Sequence, residues 1–183
     1  MRLVILDRDG VINEDSDAYI KSPAEWVPIP GSVEAIARLN RAGYQVIVAT
    51  NQSGVARGLF DFDTLTRIHE KMHRVLAEAG ARVDAIFFCP HGPDDHCDCR
   101  KPRPGLLHDI AARLKTDLTG VPAIGDSLRD LQAASAVGAR PILVLTGKGR
   151  KTLDQLGASH GIDVWPDLGR AVDALLQPAG DGD

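Results

Sequence analysis

The chain has 183 residues, 44% of them hydrophobic and 4% aromatic, with a formal net charge of -4. That apolar share supports one folded domain with its own core and excludes a disordered chain, while the acidic balance argues against a sequence-independent hold on nucleic acid or anionic membrane. The first apolar run, Leu3 to Leu6, is cut by Asp7, Arg8 and Asp9 too early for a signal peptide, and no stretch approaches a membrane-spanning length. A cytoplasmic monomer without nucleic-acid or membrane partners is expected.

Arg2 to Leu6 reads as a strand buried on both faces, because a nearly all-apolar run stops abruptly at charged residues. A helix follows over Val33 to Ala42, stopped by Gly43, and then a second apolar strand over Gln45 to Ala49. From Asp63 to Ala79 the residues Leu65, Ile68, Met72, Val75 and Leu76 fall on one helical stripe, ended by Gly80. A strand near Ala85 to Phe88, an irregular stretch from Cys89 to Arg103 and a helix over Gly105 to Leu114 come next. The remainder gives a strand at Pro122 to Ile124, a helix at Leu128 to Val137, a strand at Pro141 to Leu145, and helices at Lys151 to Leu156 and Leu168 to Leu176. Residues 177–183 are expected to fray.

This alternation predicts an α/β fold: a doubly wound, mainly parallel sheet covered on both faces, in a single domain spanning residues 1–183. In such a sheet the ligand lies beyond the carboxyl ends of the strands. Those ends carry Asp7 and Asp9, Thr50 and Asn51, and Asp126.

Four strings stand at those ends or in the loops after them: LDRDG, VATNQSG, RKP and GDSLRD. In this order they resemble the four motifs of the haloacid dehalogenase superfamily of phosphohydrolases, over most of residues 1 to 146. The resemblance implies a Rossmann-like core and Mg²⁺ held by the Asp7 carboxylate, the Asp9 carbonyl and the Asp126 carboxylate, with Asp130 just behind them. It implies Asp7 as nucleophile, Asp9 as general acid and then base, and Thr50 and Lys101 as the groups that hold the transferring phosphoryl. The chemistry is sound, since a phosphate ester repels an anionic nucleophile until a cation offsets its charge.

All three cysteines lie within eleven residues, a poor disulfide framework and a good metal cluster. Cys89, His91, Cys97 and Cys99 can close four ligands around one structural Zn²⁺, clamping a loop of about residues 89–103 that delivers Arg100 and Lys101. His96 is the rival fourth ligand, disfavoured because it adjoins Cys97.

The zinc loop is similar to those of two branches of the superfamily, one acting on histidinol phosphate and one on a heptose 1,7-bisphosphate. The strings TNQSGVARG and CRKPRPG resemble the second. That likeness implies a small sugar phosphate as substrate, with loss of its 7-phosphate on the route to nucleotide-activated heptose for lipopolysaccharide. A bisphosphate needs a second anion site, for which Arg100 is the first candidate and Arg57 the second. Asn51, Gln52 and Ser53 are placed to touch the sugar or phosphate. The segment from Val11 to Pro30 is too short for a cap domain, so local loops such as Asp15 to Tyr19 are expected to cover the cleft. A zinc-stabilised binding module would lack one of Asp7, Asp9, Lys101 or Asp126, and a nucleic-acid 3′-phosphatase would carry a basic groove.

Overall fold

A computed structural model describes residues 2–157 and 161–177. Among them a six-stranded sheet runs in the order β3-β2-β1-β4-β5-β6, every pair parallel. The strands are β1 (Arg2–Leu6), β2 (Tyr44–Asn51), β3 (Ala85–Cys89), β4 (Pro122–Gly125), β5 (Arg140–Val144) and β6 (Asp163–Trp165). Helices α1 (Ser32–Arg41), α2 (Phe62–Glu78), α3 (Gly105–Leu114), α4 (Leu128–Ala136), α5 (Gly149–Leu156) and α6 (Leu168–Leu176) connect or follow them. The doubly wound fold expected from the sequence is the fold observed.

Strand alternation sorts the apolar residues into two cores. Val4 and Leu6 of β1 with Val46 and Val48 of β2 face α1, α2 and α6 through Ile36, Ile68, Met72, Leu168 and Val172. Leu3, Ile5, Ile47 and Ala49 point the other way, onto Leu106, Leu107 and Ile110 of α3 and Ala133 and Ala134 of α4. A buried leucine or isoleucine contributes about 1.5–3 kcal/mol of transfer free energy, so these two clusters dominate the stability.

The segment between β1 and α1 is part of the core, not a cap. Val11, Ile12, Ile20 and Trp26 are buried in the first cluster, and a short 3₁₀ turn at Pro23–Glu25 ends beneath Lys71. The Lys71 ammonium donates to Pro23 O at 2.7 Å and Trp26 O at 2.8 Å, pinning that turn to α2. This leaves only residues 14–20 to reach the cleft, in line with the absence of a cap expected from length.

Two expectations need correction. β2 runs past its apolar stretch to Asn51, because Thr50 and Asn51 pair with Phe88 and Cys89 and so carry the ladder from core into site. The region after α5 also holds a strand that the sequence reading lacked, β6, which pairs with β5 at the sheet edge. Its three residues begin with Asp163 and offer no apolar run to read. Of the expected frayed tail, Gln177 caps α6 by donating its N–H to Asp173 O, and residues 178–183 lie outside the described residues.

Candidate active site

The strand order reverses at β1, whose neighbours β2 and β4 continue in opposite directions, and the functional side chains collect beyond the carboxyl ends of these three strands. Asp7 follows β1 and is tied to β4 by its N–H donating to Ile124 O at 2.9 Å. Thr50 is the last residue but one of β2, and Asp126 follows β4. Lys101 comes from the loop after β3, yet only 4% of it is exposed.

Lys101 is the electrostatic hub. Its ammonium lies 2.6 Å from Asp130 Oδ1, 3.1 Å from Asp7 Oδ1 and 2.7 Å from Ala49 O. Burial alone would lower its pKa, but the Asp130 and Asp7 carboxylates outweigh burial and hold it well above the ordinary lysine value. Removing one partner of such a buried set costs about 3–5 kcal/mol, because the remaining charge is left without compensation. Asn51 fixes the lysine's backbone from both sides, donating to Lys101 O and accepting from Lys101 N, each at 3.1 Å. Asn51, expected to touch substrate, lines the cleft and also positions Lys101 through both ends of its amide.

Asp7, Asp126 and Asp130 bring carboxylate oxygens within 4.8 Å of one another. Burial, then the nearby Asp130 charge, pushes Asp7 up to about 7; burial, then Asp7, pushes Asp126 up to about 8. Asp130 behaves differently: its burial is outweighed by the Lys101 ammonium, and its pKa is lowered. Its Oδ2 also accepts from the Ser127 N–H at 3.0 Å and the Ser127 hydroxyl at 2.6 Å. With these partners Asp130 stands behind the site as an orienting acid, while Asp7 and Asp126 keep oxygens for a cation. An oxygen-only donor set of crowded carboxylates fits hard Mg²⁺.

The cradle around Asp126 is built by glycines. A Cβ on Gly10, whose φ is +84°, would lie 2.1 Å from Asp126 Oδ2, and one on Gly147, at φ +54°, would lie 2.2 Å from the same atom. The loop after β5 seals this corner: Thr146 Oγ1 donates to Gly10 O at 2.6 Å, Lys148 N to Asp126 Oδ2 at 2.7 Å, and Thr152 Oγ1 to Asp126 O at 2.7 Å. The stretch after Gly147 thus completes the site, a role its sequence did not disclose.

Asp9 accepts on Oδ1 from Arg8 Nε at 3.0 Å, Arg8 Nη2 at 2.9 Å and Asn13 Nδ2 at 2.9 Å. On Oδ2 it accepts from Arg8 Nη2 at 3.1 Å and Gln52 Nε2 at 2.9 Å. Gln52 also donates to Thr50 Oγ1 at 3.0 Å, which joins the Asp9 carboxylate to the Thr50 hydroxyl. Arg8 and Asn13 were not legible as site residues, since Arg8 is one unremarked letter between two motif acids and Asn13 lies four residues beyond Asp9.

These groups line a cleft of about 360 Å³. It includes the expected Ser53, Arg57 and Arg100 and the expected loop of Asp15 to Tyr19, and also Arg129 and Lys148, which the sequence did not disclose. Lys148 pairs with Asp15 at 3.1 Å across the mouth, and the Arg57 guanidinium lies 5.8 Å from the Tyr19 ring centroid, so the loop of Asp15 to Tyr19 meets two others over the opening. Burial, then the charges of Arg129 and Arg57, holds the Arg100 guanidinium below its ordinary value. Among the described residues none of these three arginines has a carboxylate at ion-pair distance, so the cluster is a concentration of positive charge.

Beside the cleft, Cys89, His91, Cys97 and Cys99 converge. Cys89 Sγ lies 3.6 Å from His91 Nδ1 and 3.7 Å from Cys97 Sγ, and His91 Nδ1 lies 3.3 Å from Cys99 Sγ. Ligands on arms of about 2.0–2.3 Å around tetrahedral zinc stand roughly 3.3–3.8 Å apart, as these three separations do, and the 3.0 Å between Cys89 and Cys99 is tighter. His96 is exposed and outside this cluster, as its place beside Cys97 implied. Arg100 leaves the cluster directly, its Nη1 donating to His91 O at 3.2 Å.

Comparison with known proteins agrees with this geometry. The HAD-hydrolase-like family model matches residues 98–171, and the polynucleotide kinase 3 phosphatase model matches residues 3–127. The chain is 63% identical over 179 residues to the D-glycero-beta-D-manno-heptose-1,7-bisphosphate 7-phosphatase of Bordetella bronchiseptica, covering 98% of this chain and 100% of that one. It is 59% identical to the enzyme of that name from Pseudomonas putida, covering 96% and 100%. The crystal structure of D,D-heptose 1,7-bisphosphate phosphatase from B. bronchiseptica complexed with magnesium and phosphate superposes with a TM-score of 0.94 at 63% identity, covering 97% of this chain and 99% of that one.

Proposed function

The chain belongs to the D-glycero-beta-D-manno-heptose-1,7-bisphosphate 7-phosphatase family of haloacid dehalogenase-like hydrolases, whose core is also matched by the polynucleotide kinase 3 phosphatase model, and on that premise we propose that it removes the 7-phosphate of a heptose 1,7-bisphosphate. The observation that carries the reading is the convergence of Asp7, Asp126, Thr50 and Lys101 at one strand edge, with an arginine cluster at the far side of the same cleft.

Mg²⁺, when bound by the Asp7 and Asp126 carboxylates and the Asp9 carbonyl, supplies the positive charge that lets an anionic carboxylate approach a phosphate. Asp7 then attacks phosphorus in line and becomes an aspartyl-phosphate, while Asp9 protonates the departing sugar oxygen. Asp9 next takes a proton from the water that hydrolyses the intermediate. Thr50 and Lys101 hold the phosphoryl oxygens throughout, Lys101 passing from its contact with Asp7 to the equatorial charge of the transition state.

Arg100, with Arg57 and Arg129, holds the phosphate that is not cleaved, a task suited to forked, permanently charged donors. Histidinol phosphate would meet these arginines with an amine and an imidazole, and Asp15, an acid of the cleft lining, is already paired with Lys148. No described helix is long and apolar enough to cross a membrane, and the enzyme acts on its small substrate as a cytoplasmic monomer.

Phosphate release from heptose 1,7-bisphosphate, histidinol phosphate and a 3′-phosphorylated oligonucleotide in Mg²⁺ tests this reading. The bisphosphate is expected to lead in kcat/KM by about a hundredfold, or roughly 2.7 kcal/mol of transition-state discrimination. A lead for either of the others would overturn the substrate while leaving the phosphoryl chemistry in place.

A further inference from the structure

Arg8 is the largest charged side chain with no solvent exposure, and an arginine is almost never buried without a specific demand for it. Its guanidinium makes three contacts to Asp9, forked across both carboxylate oxygens. The remaining nitrogen, Nη1, lies 3.1 Å from His69 Nε2 on α2. Guanidinium nitrogens only donate, so His69 accepts at Nε2 and carries its own proton on Nδ1. Burial, then the charge of Arg8, pushes the histidine down to about 3, so it stays neutral and able to accept. His69 also lies against Phe88, with ring centroids 6.2 Å apart, which fixes the imidazole on its apolar side.

We propose that Arg8 and His69 are positioning residues for the acid/base carboxylate: His69 orients the Arg8 guanidinium, and the guanidinium holds Asp9 in the one rotamer from which it meets the leaving oxygen. The inference rests on the reading of Asp9 as the proton donor. Oδ1 of Asp9 accepts three donors and Oδ2 two, so Oδ2, the oxygen shared with Gln52, is the less crowded and exchanges the proton as one of its donors yields its place. A lysine in place of Arg8 would keep the charge and lose the fork. A residue without an acceptor at position 69 would leave Nη1 buried with no partner, and so loosen the fork from behind.

The test is the dependence on leaving group. An alkyl oxide such as the sugar hydroxyl needs a proton as it departs, whereas 4-nitrophenoxide leaves without one. Because kcat/KM reports only the steps through phosphoryl transfer to Asp7, the later role of Asp9 as base does not enter it. General-acid assistance is worth about 10²–10⁴ in rate, so Arg8→Lys is expected to lower kcat/KM for heptose 1,7-bisphosphate at least about thirtyfold and that for 4-nitrophenyl phosphate less than about threefold. His69→Leu should show the same asymmetry at about five- to tenfold, and His69→Gln, which restores an acceptor, should recover most of it. Equal losses on both substrates, or no loss in His69→Leu, would overturn the proposal, and the His69 pair decides the matter even if Arg8→Lys does not fold. Asp9→Asn serves as the benchmark. If it too lost both substrates equally, Asp9 would not be the acid and the proposal would fall with that reading, whereas the positioning role alone fails if Asp9→Asn is selective and the Arg8 and His69 variants are not.

Discussion

Lowering the pH from 8 to 6 should weaken Mg²⁺ binding far more than ordinary carboxylates would allow. Asp7 is pushed up to about 7 by burial and the Asp130 charge, and Asp126 up to about 8 by burial and the Asp7 charge, and a carboxylate must be deprotonated to coordinate. With those two values the metal displaces about two protons at pH 6 and fewer than one at pH 8, and the association constant falls by about 10² to 10³ between them. Carboxylates at their ordinary value near 4 would change it by only a few per cent. Titration calorimetry in buffers of different ionisation heat, on protein dialysed free of Mg²⁺, gives both the constant and the proton count. A change of less than about threefold with no proton release would refute the crowding argument.

The same groups make the stability of the metal-free protein depend on pH. Both lie above their unfolded values, so between about pH 4 and pH 8 the folded state holds more protons than the unfolded state. Stability without metal therefore falls as pH rises through that window, and Mg²⁺ should raise Tm more at pH 8 than at pH 5.5.

Three further outcomes follow from named contacts. Arg100→Ala should lower kcat/KM for the bisphosphate by about 10- to 100-fold, the worth of one charged hydrogen bond, and leave a heptose 7-monophosphate nearly unaffected. Cys99→Ala should reduce zinc content and Tm together, read by metal analysis and calorimetry, because it removes one of the four convergent ligands and slackens the loop that carries Arg100 and Lys101. Asn51→Ala should lower kcat more than it raises KM, since it frees the Lys101 backbone without touching the second phosphate site.

Legibility in the sequence followed the kind of physics involved. The apolar runs at Leu3 to Leu6 and Val46 to Ala49 disclosed buried strands because each supplies both faces of a parallel sheet, and that periodicity is local. The motif acids and the Cys/His cluster were legible because their spacing is local too. What could not be read were groups brought in from far along the chain: His69 behind Arg8, 61 residues away, and Lys148 on Asp126, 22 residues away. The hold of Asn51 on Lys101 was not legible either, because the two lie 50 residues apart. The strand β6 escaped because an edge strand of three residues beginning with an acid carries no pattern.

The central claim is that Asp7 becomes phosphorylated during turnover, and chemical trapping tests it most directly. Protein quenched in the steady state with heptose 1,7-bisphosphate and Mg²⁺, then reduced with borohydride, should yield homoserine at position 7 in the peptide map, and Asp7→Asn should yield none and show no turnover. Trapping at any other carboxylate, or full turnover with no reducible acyl-phosphate and an active Asp7→Asn, would contradict the account.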